Sequence, residues 1–141
     1  MEHLGQEPRL PVGRHLVAED EPREHGALAV LFWFQTGDGT RKAKNVARDK
    51  RCTGSLSTNE FDLAVNGSAE KVSNAADVAR VSAVWVAGGW TCEVDASGIG
   101  LTAPFNAPAV GPAPWFVYRI TPLSATSVSR IEPGGATRWT F

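Results

Sequence analysis

Histidine, cysteine and methionine are scarce in this chain of 141 residues, and their scarcity removes several kinds of chemistry. The three histidines (His3, His15, His25) all precede the first clear strand, and no two stand at metal-ligand spacing, so no metal site is expected. The two cysteines, Cys52 and Cys92, are isolated. Neither a disulfide framework nor a C-x-x-C site is indicated, and two free thiols are expected. No G-x-S-x-G or G-x-x-x-x-G-K-[ST] occurs. Glu60, Asp62 and Glu70 surround one predicted hairpin without forming a carboxylate pair. Catalytic residues are therefore unknown from the sequence, and the absence favours a cofactor that brings its own reactivity. No apolar run is long enough to span a membrane, and the N-terminus lacks the layout of a signal peptide, so the expectation is a cytoplasmic protein with no membrane partner.

Net charge is −1, which argues against a dedicated nucleic-acid binder, but the charge is uneven. Residues 1–24 are acid-rich, whereas residues 40–51 hold Arg41, Lys42, Lys44, Arg48, Lys50 and Arg51 against Asp49 alone. A local basic patch in a neutral protein points to a small anionic ligand; a solvated helix face is the plain alternative. The patch belongs to Leu31–Asp49, LFWFQTGDGTRKAKNVARD. Leu31–Phe34 reads as a buried strand, and Gly37-Asp38-Gly39 as the turn that ends it. Ala43, Val46 and Ala47 then recur at helical spacing. Arg41 and Lys42 fall in that helix's first turn, where unpaired N–H groups already favour an anion. Strand, glycine turn and cationic helix start make a phosphate cradle. Asp38 opposes this, since a carboxylate in the turn repels an anion unless it points away. The third glycine of a G-x-G-x-x-G is replaced by Lys42, which excludes the Rossmann mode.

At this length one domain is expected, with residues 1–24 as an N-terminal arm and 25–141 as the folded unit. Leu16–Ala18 reads as a short strand, Glu19–His25 as an acidic loop and Ala27–Thr36 as the longest apolar strand. The first helix covers about Arg41–Arg48. Arg51–Ser57 and Phe61–Val72 form a hairpin, in which Gly67 marks a bulge or a close approach by another backbone or ligand. Asn74 caps a second helix over Ala75–Val86, with Val78, Val81 and Trp85 on one face and Gly88-Gly89 ending it. Residues 88–114, rich in glycine and proline, read as a long irregular loop. Trp115–Thr121 is a strand stopped by Pro122, Ser124–Arg130 returns beside it, and Thr137–Phe141 closes the chain. The predicted class is mainly β: a split β-barrel of about six antiparallel strands with two or three short helices.

TGDGTRKAKNVARDKR resembles the T-G-x-x-[ST]-R-K-A-x-N-[LV] block of the pyridoxamine 5′-phosphate oxidase-like family of flavin-binding split barrels. FDLAVNGSAEKV resembles its V-x-G-x-A-E-x-V marker, and VYRITP and GATRWTF resemble markers near the end of its actinobacterial members. The resemblance covers residues from about 27 to 141. It implies a homodimeric oxidoreductase passing hydride between bound FMN, or the deazaflavin F-420, and a small-molecule substrate at the subunit interface. It also implies that Arg41 and Lys42 grip the cofactor phosphate, with Thr36, Gly37, Thr40 and Trp139 completing the cofactor-binding set and Arg138 beside Trp139. A non-catalytic cofactor carrier and a degenerate dimer without cofactor are the alternatives. Because Glu24-His25-Gly26-Ala27 runs almost directly into the strand ending at Thr36, the hairpin that precedes it in the family is expected to be shortened or missing.

Overall fold

The computed structural model describes residues 17–22, 28–105 and 111–141. The chain runs β1 (Val17–Pro22), β2 (Leu28–Gly37), α1 (Arg41–Arg48), β3 (Arg51–Ser57), β4 (Phe61–Lys71), α2 (Ala75–Ala87), β5 (Glu93–Val94), β6 (Gly100–Thr102), β7 (Trp115–Ser129) and β8 (Ala136–Thr140). All eight strands join one antiparallel sheet with the path β1-β2-β7-β4-β3, to which β6 and β8 are added along β7. The mainly-β, split-barrel class is as expected. The histidines lie outside the described residues.

β7 is the strand on which the others are arranged. Its first part pairs with β2, from Trp115↔Gly37 to Ile120↔Phe32, and its second part pairs with β8, from Ser124↔Thr140 to Val128↔Ala136. β4 runs along β7 from Lys71↔Tyr118 to Phe61↔Ser129, and the register slips once, between Asn66↔Ser124 and Gly67↔Pro122. That slip is a bulge at Leu123, and it splits the sheet into two halves. Pro122 and Ser124–Arg130 were expected as a strand stop and a separate returning strand; instead one strand passes through both. A proline lacks the ladder donor, but at a bulge the donor is not required. Gly67 is the counterpart of the bend. A Cβ there would stand 2.4 Å from the Thr121 carbonyl oxygen and 2.8 Å from Ile120 Cγ2. The close approach is by backbone, as one of the two sequence expectations held.

Two cores lie on opposite faces of β2 and β7, as the two-residue period of a strand requires. One gathers Trp33, Trp115 and Val117 with Val78, Val81 and Trp85 of α2. Trp90 completes a ring cluster there, its centroid 5.6 Å from that of Trp85 and 5.9 Å from that of Trp115. Burying each such side chain stabilises the fold by roughly 1.5–3 kcal/mol. The other gathers Phe32, Val65, Ala69, Ile120 and Ala125, with Val46 of α1 packed against it. α2 forms as its spacing predicts: Asn74 Oδ1 accepts the N–H groups of Ala76 and Asp77, and Gly89 turns the chain away at φ 93°.

Three further expectations need correction. The acidic stretch from Glu19 to Pro22 is strand rather than loop, since β1 pairs with β2 from Val17↔Trp33 to Pro22↔Leu28. The arm expected over residues 1–24 thus contributes a strand, β1, to the sheet. Residues 88–105 are not irregular throughout. Trp90, Cys92 and Leu101 are buried, and β5 and β6 form a small hairpin joined to β7. Both cysteines are free thiols, as expected, and burial pushes each thiol's pKa up.

Candidate functional site

The turn between β2 and α1 is built by two threonines more than by its glycines. Neither Gly37 nor Gly39 takes a positive φ, and a Cβ on Gly39 would meet nothing within 4 Å, so the expectation that these glycines shape the bend is corrected. The Thr40 N–H donates to the Gly37 carbonyl at 3.1 Å and closes the turn. The Thr40 hydroxyl donates to that same carbonyl at 2.8 Å and accepts the Ala43 N–H at 3.2 Å, which makes Thr40 the N-cap of α1. With its proton so used, Thr40 Oγ1 accepts from the fully buried Thr36 hydroxyl at 2.8 Å. Thr36 and Thr40 are therefore brought together, and here their hydroxyls hold the turn.

The cap occupies the N–H of the third helical residue. Arg41 and Lys42 take the first two helical positions, at the positive end of the helix macrodipole. Both side chains are exposed, and Lys42 Nζ lies 5.4 Å from the Phe34 ring centroid. Arg41 makes no ion pair with a described residue. Two described acids near this helix, Asp49 and Asp38, are engaged elsewhere. Asp49 is held by Arg51 at 2.6 Å, which pulls its pKa down to about 2. Asp38 is held by Lys71 of β4, with both carboxylate oxygens 2.9 Å from Nζ. The repulsion expected from Asp38 is thereby met by a cation from another strand. The sequence reading did not single out Lys71; the only signal for it was a lysine at the end of the second marker strand.

Phe34 of β2 stacks on Tyr118 of β7, with centroids 5.1 Å apart and planes at 14°. Burial, and after it the Asp38 charge, push the Tyr118 pKa up. Lys71 Nζ also sits 3.4 Å from the Phe116 ring centroid, a cation–π contact that fixes the lysine.

Trp139 does not join this group within one chain. It lies opposite Ala125 near the far end of β7, whereas Thr36 lies opposite Phe116. At the rise of a strand this separates them by up to about 30 Å. Trp139 is 43% exposed, with Arg138 beside it on an exposed strand. Among the described residues no group of three or more His, Cys, Asp or Glu is placed to hold a metal ion, and no helix is long and apolar enough to cross a membrane.

No protein-family model and no curated protein matches the chain. Among solved structures it is similar to a pyridoxamine 5′-phosphate oxidase-related, FMN-binding protein from Nostoc punctiforme, with a TM-score of 0.48 and 12% sequence identity, over 89% of this chain and 78% of that one.

Proposed function

We propose that the start of α1 anchors the phosphate of FMN or of the deazaflavin F-420 in a cytoplasmic, homodimeric oxidoreductase acting on a small organic substrate. One observation carries this reading. A threonine-locked turn presents Arg41 and Lys42 at a helix start where the neighbouring described acids, Asp38 and Asp49, are each paired with another cation. The residues suit a phosphate dianion. Arg offers a planar fork and Lys a point charge, the helix end adds its dipole, and the space over Gly39 is open. The resemblance of this block to the pyridoxamine 5′-phosphate oxidase-like family supports the same choice of ligand. The bound ring would supply the hydride chemistry, and this chain's residues would hold the phosphate and position the ring.

The test is a titration of the purified chain with FMN and with F-420, followed by visible absorbance. Replacing both Arg41 and Lys42 by alanine is expected to weaken affinity by about 3 kcal/mol or more, over a hundredfold, the scale of two charge-assisted contacts. Unchanged affinity in that variant would refute the assignment. The placement of Trp139 far along β7 favours a second reading, a cofactor carrier whose ring pocket is incomplete in one chain. Saturable binding with no substrate-dependent bleaching or recovery would select the carrier, and no binding of either cofactor would select a dimer without ligand.

A further inference from the structure

Lys42 sits over β2, on one flank of α1; the other flank faces β4 and carries a feature the phosphate cradle does not use. There Ala43, Val46 and Ala47 of the helix, Ala69 of β4 and Tyr118 of β7 line a groove of about 480 Å³, within the range of small-molecule pockets. Four charged groups beside it cancel in pairs: Asp38 with Lys71, and Glu70 with Arg119. Lys44 and Lys50 also line the groove, and neither forms an ion pair with a described residue. Among the described residues the balance is net positive, carried by Lys44 and Lys50 over an apolar floor. Tyr118 is 4% exposed, and its hydroxyl makes no hydrogen bond to a described residue. Burial and the Asp38 charge keep that hydroxyl protonated, so it retains a proton to donate.

We propose that this groove binds an aromatic or branched aliphatic carboxylate, with its apolar body against Val46 and the alanines and its carboxylate between Lys44 and Lys50. A phosphate alone would leave the apolar floor uncovered, and a neutral hydrocarbon would leave two cations without a partner. The Arg41–Lys42 cradle opens at the helix end; the two sites share the Asp38–Lys71 pair as a border, but neither Arg41 nor Lys42 lines the groove.

The probe is 2-naphthoate, titrated into the full chain and read by calorimetry, with the neutral 2-naphthalenemethanol as comparator. Naphthoate is expected to saturate one site per chain, at least about tenfold tighter than the alcohol, the scale of one charge-assisted contact. Lys44→Ala with Lys50→Ala is expected to remove that advantage. Ala47→Phe, at an exposed helix position, is expected to fill the groove and abolish binding of both probes while circular dichroism is unchanged. Arg41→Ala with Lys42→Ala, and millimolar inorganic phosphate, are expected to leave naphthoate affinity as it was. The proposal fails if naphthoate does not bind, if the alcohol binds equally well, or if the two-lysine variant is unaffected. It also fails if the Arg41 and Lys42 variant loses naphthoate, which would place the probe in the phosphate cradle.

Discussion

Asp38 and Lys71 stand 33 residues apart in sequence, yet both carboxylate oxygens of Asp38 lie 2.9 Å from Lys71 Nζ. The lysine is further fixed 3.4 Å from the Phe116 ring centroid. The pair joins the turn before α1 to the end of β4. It also offsets the Asp38 charge, which would oppose an anion at Arg41 and Lys42. As a stabilising contact it is worth little, because the side chains are 37% and 57% exposed and such pairs contribute at most about 1 kcal/mol. Its consequence is for the field at the helix start.

Lys71→Ala should therefore leave the melting temperature almost unchanged and weaken FMN or F-420 binding roughly three- to tenfold, the effect of one uncompensated charge in a partly screened site. Adding Asp38→Asn to that variant should restore the affinity. Titrations of the single and double variants check this, and a single variant that binds as tightly as the parent would show that Asp38 never faces the ligand.

Thr40 holds three hydrogen bonds at once, so Thr40→Ala should act on fold and site together. The lost cap costs about 1 kcal/mol, and the buried Thr36 hydroxyl loses its acceptor at a cost of about 1 kcal/mol more. Thr40→Ser keeps the oxygen and should cost only a few tenths of a kcal/mol. Denaturant unfolding of the two variants separates them. Equal stabilities would mean that the threonine pair does not hold the turn.

The contact between Glu70 and Arg119 gives a pH dependence of known sign. The Arg119 guanidinium bonds to Glu70 and holds its pKa below the usual 4.5. A carboxylate depressed in the folded state adds stability that is fully present above its unfolded pKa and is lost as pH falls through the folded value. Solvent reaches both side chains, so the contribution is less than about 1 kcal/mol. Melting temperatures taken from roughly pH 6 down to pH 3 should fall less steeply for Glu70→Gln than for the parent. Parallel curves would show that the pair contributes nothing.

What the sequence made legible was local. α1 and α2 follow from caps and apolar spacing within a few residues, and the β3–β4 hairpin from alternation on either side of Thr58-Asn59-Glu60. Strands of two and three residues, such as Glu93–Val94 and Gly100–Thr102, have no period to display and were hidden in a glycine-rich stretch. The union of the segments either side of Pro122 was also hidden, because a proline normally ends a strand and only the bulge removes the need for its donor. The candidate site divides the same way. Thr40, Arg41 and Lys42 are neighbours in sequence, whereas Lys71 and Tyr118 reach the turn and groove only through sheet pairing.

Gly67 gives the sharpest test of the split. The position is buried, and any Cβ would meet the Thr121 carbonyl oxygen at 2.4 Å and Pro122 Cα at 3.1 Å, backbone atoms of the strand that bends there. Gly67→Ala must therefore push β4 and β7 apart at the bulge, at a cost of about 2 kcal/mol for overpacking of this kind. For a domain of this size that lowers the melting temperature by roughly 8 °C. Because the strain is between strands and not in the backbone angles, where Gly67 shows no positive φ, a larger side chain should cost more and no compensating turn residue should help. Gly39→Ala makes the control: its Cβ meets nothing within 4 Å, so the same substitution should leave the melting temperature within about 2 °C of the parent. If the two alanine variants melted alike, the close approach of Gly67 to β7 would not be what fixes the bend.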